Sequence, residues 1–222
     1  KDEASMEQFA KQAQGYVGEY GFEIMETCFA FTDLGMNTEA SRILQGAYLD
    51  AVPEREQSPL PLYLAARLQA VQGDEKAAMK YLKEAAKKSS DYVFPSHSEM
   101  IDTMGLDVLG YAIEKNPKDA KAHLYRGNLT GALGALDEAV MDWKKAAELD
   151  PALSVAFRNL GLVEWKKTGD LAGAEAYYRK AIKARPSDPT LYRDLAQILI
   201  QNQQRPQAIA LIEKMSRDGL RG

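Results

Sequence analysis

The stretch Ala122–Pro151 reads AHLYRGNLTGALGALDEAVMDWKKAAELDP and decides the fold. Small residues stand at Gly127 and Ala139, and the large ring of Trp143 follows four positions after Ala139. Residues three or four positions apart share one face of a helix. The small residues therefore allow two helices to approach closely, while Trp143 fills the space beside them. Proline cannot continue a helix, so Pro151 ends a unit that is predicted to be one pair of packed helices.

The same arrangement recurs with a period of about 34 residues. Gly127, Gly161 and Ala196 mark three clear copies, at spacings of 34 and 35 residues. In each copy an alanine follows twelve or thirteen positions later, and a large apolar residue four positions after that: Ala139 and Trp143, Ala174 and Tyr178, Ala208 and Ile212. One helical pair cannot bury its own apolar face, so the repeat predicts pairs that stack on one another.

Two weaker copies precede the clear ones. They keep small and large residues in the same relative places, at Ala66, Gly73, Ala78, Leu82 and Ala85, and earlier at Cys28, Gly35, Ala40, Leu44 and Ala47. Cys28 takes the place of a small residue between helices, where we expect a buried and unreactive thiol. Residues 3–14 have the polar, amphipathic pattern of one further helix, which we expect to cap this end of the array.

The sequence departs from the repeat at two points. The middle clear copy carries one extra residue before Gly169, which we expect to lengthen the turn between its two helices. The register also fails across residues 88–117, because DYVFPSHS at residues 91–98 stands where a first helix belongs and its proline disfavours helix at the preceding residue. We expect a joint there, in which Tyr92 and Phe94 cover the preceding pair.

These residues resemble the tetratricopeptide repeat over residues 119–217. The resemblance implies an all-α fold, a right-handed superhelix (a solenoid) of about five to six helical pairs with one degenerate unit. It divides the chain into three regions. Residues 1–88 form a capping helix and two divergent pairs, residues 89–117 a loop and a degenerate repeat, and residues 118–222 three clear repeats with a C-terminal cap.

Part of the chain also resembles a family of large bacterial proteins. In that family a β-rich domain, similar to the sandwich of sugar mutarotases, precedes a tetratricopeptide region. The match covers about residues 90–200 and rests on Phe94-Pro95-Ser96, Asn116-Pro117, the run A-H-x-Y-x-G-N-L at residues 122–129, and Arg158–Leu162. This resemblance implies that the chain is a C-terminal scaffold and that carbohydrate-linked chemistry lies elsewhere in the same polypeptide.

The sequence contains no recognisable catalytic or cofactor motif. His97 and His123 are the only histidines, they belong to different units, and Cys28 is the only cysteine. No His-x-x-x-His, Cys-x-x-Cys or glycine-rich phosphate loop occurs, so we expect no enzyme, no metal site and no cofactor. A formal charge of −4 without a run of Lys and Arg argues against nucleic acid. No apolar run approaches the roughly 18 residues of a membrane helix, and the compartment stays open.

By analogy with the repeat family, the first helices of stacked pairs line a concave groove. The residues that this analogy places on the groove are Leu124, Asn128, Arg158, Asn159, Leu162, Trp165, Arg193 and Gln197. Arg158 and Arg193 stand one repeat apart, and their guanidinium groups suit a carboxylate or an acidic peptide. The alternative is that they pair with neighbouring acids such as Glu164 and Asp194. Trp165 is either an exposed anchor or, as we favour, a buried filler beside the extra residue.

Chaperone adaptors of the tetratricopeptide family hold a C-terminal carboxylate with a clamp of Lys, Asn, Asn, Lys and Arg. Asn128 and Asn159 match two of these five places, whereas Leu124, Thr190 and Asp194 stand where basic residues belong. The clamp is incomplete, so we expect no chaperone tail. The leading hypothesis is a non-catalytic scaffold that binds a peptide, a protein or a companion β-rich domain of the same polypeptide. The alternative is an accessory region of a larger carbohydrate-active bacterial enzyme.

Overall fold

A computed structural model describes residues 21–53, 58–88 and 103–220. Within these ranges the chain forms eleven α-helices and two π-helical turns, and no strand. The predicted capping helix at residues 3–14 and the predicted joint at residues 91–98, with His97, lie outside the described residues. The all-α fold class, built from helical pairs, is confirmed.

The first compact unit spans Lys1–Lys121. Its described helices are α1 (Gly21–Asp33), α2 (Asn37–Leu44), which continues as a π-helical turn (Gln45–Leu49), α3 (Pro59–Val71), α4 (Glu75–Lys87) and α5 (Thr103–Lys115). Helix α3 is the centre of this unit, since it contacts α2, α4 and α5. Accordingly, α3 buries residues on almost every side, from Pro59 to Leu68.

The second compact unit spans Ala122–Gly222. Its helices are α6 (Ala120–Ala132), which begins in the last residues of the first unit, α7 (Leu136–Leu149), α8 (Ser154–Val163) with a π-helical turn (Glu164–Thr168), α9 (Leu171–Ala184), α10 (Pro189–Gln201) and α11 (Arg205–Arg217). From α7 onward each helix contacts the next one along the chain. The second unit therefore holds the three clear copies as consecutive pairs: α6 with α7, α8 with α9, and α10 with α11.

Local sequence sets where several of these helices begin and end. An Asp side chain accepts a hydrogen bond from the first helical turn of α4, α9 and α10, at Asp74, Asp170 and Asp188, each at 2.9 Å. Such caps satisfy amide groups that have no partner inside the helix. Gly134 and Gly169 lie in the turns between the two helices of their pairs. Both have the left-handed conformation, with φ of 86° and 75°, which glycine adopts without steric cost.

The small repeat positions form the interior of each pair, as the pattern predicts. Ala139, Ala146, Ala174 and Ala181 are fully buried, and Trp143 and Tyr178 are buried beside them. Cys28 is also fully buried, and its Sγ donates a hydrogen bond to the Ala40 carbonyl at 3.4 Å. Burial raises the pKa of the Cys28 thiol to about 12, against a smaller opposing effect from the backbone of Leu44. This thiol is structural, since a cysteine reacts as its thiolate.

The expectation of a longer turn before Gly169 is wrong. The extra residue lies in the π-helical turn Glu164–Thr168, which extends α8, and Gly169 ends it in the left-handed conformation. A π-turn places one more residue in a helix than the α form allows. The extra residue therefore widens the end of the first helix instead of lengthening the connection.

A second π-helical turn corrects the prediction for Ala47. The turn Gln45–Leu49 continues α2, and Tyr48, 4% exposed, is the buried residue there, whereas Ala47 is only half-buried. One added residue rotates the following side chains by roughly 100° about the helix axis. The ring of Tyr48 consequently takes the interior place that the repeat pattern assigned to a small residue.

Candidate partner-binding face

Polar side chains join the first helices of the second unit to one another. The Nδ2 of Asn159, on α8, donates to the Oδ1 of Asn128, on α6, at 2.8 Å. The Nε1 of Trp143 donates to the same oxygen at 2.9 Å, so Asn128 is fixed from two sides. Both asparagines are half-buried. Their hydrogen bond places the equivalent surfaces of α6 and α8 side by side.

A second contact continues this row from α8 to α10. The Nε of Arg158 lies 4.0 Å from an oxygen of Asp194, and the guanidinium-bearing side chain is 39% exposed. The hydroxyl of Tyr178 donates to the same Asp194 oxygen at 3.0 Å. Burial raises the pKa of Tyr178, and the Asp194 carboxylate raises it further, so the hydroxyl stays protonated and donates.

Arg193 differs from its counterpart Arg158 in its surroundings. It is exposed on α10, and its Nη2 donates to Thr190 Oγ1, one turn away, at 3.3 Å. The expected pairing with acidic neighbours thus applies to Arg158, which approaches Asp194 at the limit of an ion pair. An exposed ion pair at 4.0 Å is worth little, so a carboxylate from outside can compete for Arg158.

Two of the predicted groove residues are buried. Leu124 is 1% exposed and packs in the core because its side chain lies on the inner side of α6. Trp165 is 8% exposed, its Nε1 donates to Gln201 Oε1 at 2.7 Å, and its ring meets Tyr178 edge-on at 6.5 Å. Neither side chain offers its surface to a partner, and Trp165 fills the interior beside the π-helical turn.

The remaining predicted residues stand on the first helices of the second unit, and we call this set the first-helix face. Its members are Asn128, Arg158, Asn159, Leu162, Arg193 and Gln197, from α6, α8 and α10. Leu162 is half-buried, and Gln197 is exposed. Within the described part of the chain the Nδ2 of Asn128 and the Oδ1 of Asn159 make no hydrogen bond. The face therefore offers an amide donor, an amide acceptor and two guanidinium groups.

Sequence reasoning missed a buried ionic cluster beside this face. His123 Nδ1 lies 2.8 Å from Asp142 Oδ1, and Arg126 donates to both oxygens of Asp142 at 2.7 and 2.8 Å. Asp142 is 4% and His123 is 7% exposed. Burial alone raises the pKa of Asp142, but the hydrogen bonds from His123 and Arg126 outweigh burial and lower it overall. The cluster ties α6 to α7. His123 stands at the aromatic repeat position, where the sequence predicts a packed, hydrogen-bonded core histidine, and this part of the prediction is confirmed. The pairing with Asp142 and Arg126 was not predicted.

Two classes of site are not seen among the residues that the structure describes. No group of three or more His, Cys, Asp and Glu side chains is placed to hold a metal ion. None of the described helices has both the length and the apolar character needed to cross a bilayer.

The model of the tetratricopeptide repeat family matches residues 167–219, about a quarter of the chain. Among curated proteins, Hsp70-Hsp90 organizing protein 1 of Glycine max is 36% identical over 80 residues, which is 36% of this chain and 14% of that protein. Protein O-mannosyl-transferase TMTC1 of Homo sapiens is 31% identical over 97 residues, 42% of this chain and 11% of that protein. The chain thus spans a small part of each relative.

Solved structures of MamA are similar over most of their length. MamA residues 41 to the end, from Desulfovibrio magneticus RS-1, align with 90% of this chain at a TM-score of 0.46 and 16% identity, covering 95% of that chain. Another MamA crystal structure aligns with 91% of this chain at 0.47 and 17% identity, covering 94% of that chain. Similarity at this level assigns neither a function nor a partner.

Proposed function

We propose that this chain is a non-catalytic scaffold that binds a peptide segment of a protein partner on its first-helix face. The observation that carries the proposal is the Asn128–Asn159 pair, which holds two side-chain amides of adjacent repeats in a fixed arrangement. Fixed amides suit a peptide backbone, which presents a donor and an acceptor at every residue. Side chains held before binding lose little conformational entropy on binding.

Charge on this face favours carboxylates in the bound peptide. Arg158 and Arg193 stand one repeat apart on α8 and α10, and each can hold a carboxylate with two parallel hydrogen bonds. Leu162, four positions after Arg158 on α8, adds a half-buried apolar side chain. A peptide with acidic side chains or a free C-terminus is therefore the expected ligand class. The chaperone tails held by a complete clamp are excluded from this proposal, since Leu124 is buried where a basic residue would be needed.

The family match supports a scaffold more broadly. The tetratricopeptide repeat model matches residues 167–219, which hold α9, α10 and α11, and one relative carries the name of an organizer of two other proteins, Hsp70 and Hsp90. Both point to protein binding in general and leave the partner of this chain to experiment.

The test begins with an array of random octapeptides carrying free C-terminal carboxylates. Peptides that bind are resynthesised, and their affinity is measured by isothermal titration calorimetry with wild-type protein and with the double variant Arg158→Ala, Arg193→Ala. We expect at least a tenfold loss of affinity, because two charge-assisted contacts of about 1 kcal/mol each are removed.

A matched control removes two arginines elsewhere. Arg179 and Arg217 are exposed on α9 and α11, away from the first helices. The variant Arg179→Ala, Arg217→Ala changes the net charge equally and should bind like the wild type. Equal affinity of the first double variant and the wild type would refute the site, and an array without any bound peptide would refute peptide binding itself.

A second candidate function is an accessory role within a carbohydrate-active enzyme. One observation favours it: the 97 residues matched at 31% identity lie in a protein named as an O-mannosyl-transferase. In this case the first-helix face docks a companion domain of the same polypeptide. Purification of the native polypeptide with an antibody against this chain, followed by assay with mannosyl donors, would reveal mannosyl transfer; a polypeptide of 24.6 kDa without activity counts against it.

A further inference from the structure

A cleft of about 750 Å³ lies in the second unit, lined by residues other than those of the first-helix face. It is bordered by α7 and α9, the second helices of two adjacent pairs, and its floor includes Phe157 of α8 and Tyr177 of α9. Phe157 is 8% exposed and Tyr177 is half-buried, so the floor is apolar and aromatic. This volume falls in the range of sites that hold compact ligand groups.

Three lysines surround this apolar floor. Lys144 stands on α7, and Lys180 and Lys183 stand on α9; all three are exposed and line the cleft. The ammonium of Lys180 lies 5.4 Å from the centre of the Tyr177 ring and 5.8 Å from that of Phe157. These ring contacts hold one positive charge directly above the floor.

The positive charge of the cleft is not neutralised by its own residues. Glu148 is the only acidic residue on the lining, and its carboxylate is bonded to Lys145 at 3.1 Å. Lys144 and Lys183 make no ion pair within the described ranges. The cleft is thus a local cationic site on a chain whose formal charge is −4.

We infer that this cleft, which we call the lysine cleft, binds an acidic segment of a partner protein that carries apolar anchor residues. The apolar floor requires an apolar side chain, since an inorganic anion would leave Phe157 and Tyr177 uncovered. The three lysines require carboxylates that flank the anchor. A long polyanion is a less suitable ligand, because the rest of the protein carries a net negative charge. The repulsion between that surface and the polyanion grows with each charge that the polyanion adds.

The lysine cleft and the first-helix face share no residue. The first-helix face uses amides and arginines of α6, α8 and α10, whereas the lysine cleft uses lysines of α7 and α9. A scaffold with both sites can hold two segments at once. The lysine cleft stands without the first-helix face, so each can fail while the other holds.

The test uses a short fluorescein-labelled peptide. Phe and Leu recur in it every three or four residues, and Asp and Glu stand between them. Fluorescence anisotropy is measured with the whole chain. We expect saturable binding that weakens at least tenfold when Asp and Glu are replaced by Asn and Gln, and at least tenfold when Phe and Leu are replaced by Ala. Wild-type protein that does not bind the acidic peptide, or binds all three peptides equally, overturns the inference.

Variants then locate the site. The double variant Lys144→Ala, Lys183→Ala should weaken binding about tenfold, because it removes the two lysines that make no ring contact. Ala152→Trp places an indole at the exposed rim of the cleft and should weaken binding while leaving every lysine in place. Loss of affinity in only one of these two variants means that the cleft is not the site, provided that circular dichroism shows both variants to be folded.

Two controls complete the design. Lys76→Ala, Lys83→Ala removes two exposed lysines of α4 in the first unit and should leave affinity unchanged. Arg158→Ala, Arg193→Ala should also leave it unchanged, and a loss in that variant alone would assign the peptide to the first-helix face. Tighter, lysine-dependent binding of single-stranded DNA or of phosphatidylserine vesicles would overturn the proposed class of partner.

Discussion

At the scale of single residues, the interior of each pair shows a match of sizes. A Cβ on Gly127 would lie 2.8 Å from Cδ1 of Trp143, and one on Gly161 would lie 2.7 Å from Cδ2 of Tyr178. In the other three copies the large residue of the second helix is aliphatic, and the small position of the first helix then holds a residue with a side chain. These copies pair Cys28 with Leu44, Ala66 with Leu82, and Ala196 with Ile212. Glycine is therefore needed only opposite an aromatic ring.

This size match predicts the effect of Gly161→Ala. Tyr178 is fully buried and its hydroxyl is bonded to Asp194, so the ring cannot move away from an added methyl group. Overpacking of this kind costs about 1–3 kcal/mol, more than the gain in helix propensity of about 1 kcal/mol. We expect a lower free energy of unfolding in urea, followed by circular dichroism.

Gly110→Ala serves as the control for that experiment. Gly110 lies inside α5, and among the described residues no atom outside its own helix lies within 4 Å of the place that a Cβ would occupy. Without overpacking, only helix propensity changes, so this variant should be more stable by about 0.5–1 kcal/mol. If both variants shift stability in the same direction, the size match does not control the interior.

The buried cluster around Asp142 predicts a dependence on pH. The pKa of Asp142 is lower in the folded chain than in the unfolded chain, because His123 and Arg126 outweigh the effect of burial. Stability from this residue is therefore fully present above the ordinary Asp pKa of about 3.9, and it is lost as the pH falls below that value. The urea midpoint of the wild type should decline more steeply between about pH 5 and pH 2 than that of Asp142→Asn.

Two further expectations sharpen the pH experiment. Asp142→Asn should already be less stable at neutral pH by about 3–5 kcal/mol, because it leaves Arg126 and His123 without a buried carboxylate. Asp137→Asn changes an exposed acid in the first turn of the same helix. The urea midpoint of this variant should fall with pH as steeply as that of the wild type. Parallel declines in all three proteins would show that Asp142 does not set acid sensitivity.

At the scale of helices, the π-helical turns show how the repeat tolerates an added residue. In α8 the addition falls at the end of a first helix, and in α2 it falls near the end of a second helix. In both places Trp165 or Tyr48 is buried within the turn itself. The wider turn thus absorbs one residue locally and brings an extra ring into the core.

Deletion of Lys167 tests this account of the turn. Lys167 is exposed in the turn Glu164–Thr168, and its removal restores the spacing of the first clear copy, in which seven positions separate Gly127 from Gly134. We expect the deletion to cost little stability, about 1 kcal/mol, since the helices after Gly169 keep their register. Circular dichroism and urea denaturation measure the change.

Deletion of Lys144 is the matched comparison. Lys144 is also an exposed lysine, but it lies within the regular helix α7, just before the buried Ala146. Its removal rotates Ala146 out of the interior by about 100°, so the second unit should lose cooperative unfolding. Deletions with equal effects would contradict the view that the turn is a local insertion.

The repeat explains why much of this architecture was predictable from sequence. Alanine and glycine at fixed spacings specify close helix packing, so the pairs and their buried alanines follow from residue size alone. The π-helical turns were missed because an added residue fits equally well in a turn or in a widened helix. The burial of Leu124 and the Asp142 cluster escaped because analogy gives the position along a helix and leaves the direction of each side chain open.

At the scale of the whole molecule, the chain divides into two units between Lys121 and Ala122. Helix α6 begins earlier, at Ala120, and Asp119 Oδ1 accepts a hydrogen bond from the Lys121 amide at 3.1 Å. A fragment of the second unit should therefore not begin at Ala122, the first residue after the boundary between the units. A fragment that starts at Pro117 keeps all of α6 with its cap, whereas one that starts at Ala122 loses both.

We expect the fragment 117–220 to fold on its own. It contains three complete pairs, α6 to α11, and three repeats are the number that stable arrays of this kind need. Its thermal unfolding, followed by circular dichroism, should be cooperative. The fragment 122–220 should be less stable by about 1 kcal/mol, because the lost Asp119 cap leaves amides of α6 without a partner. If the longer fragment does not unfold cooperatively, three complete pairs are not sufficient for the second unit to fold on its own.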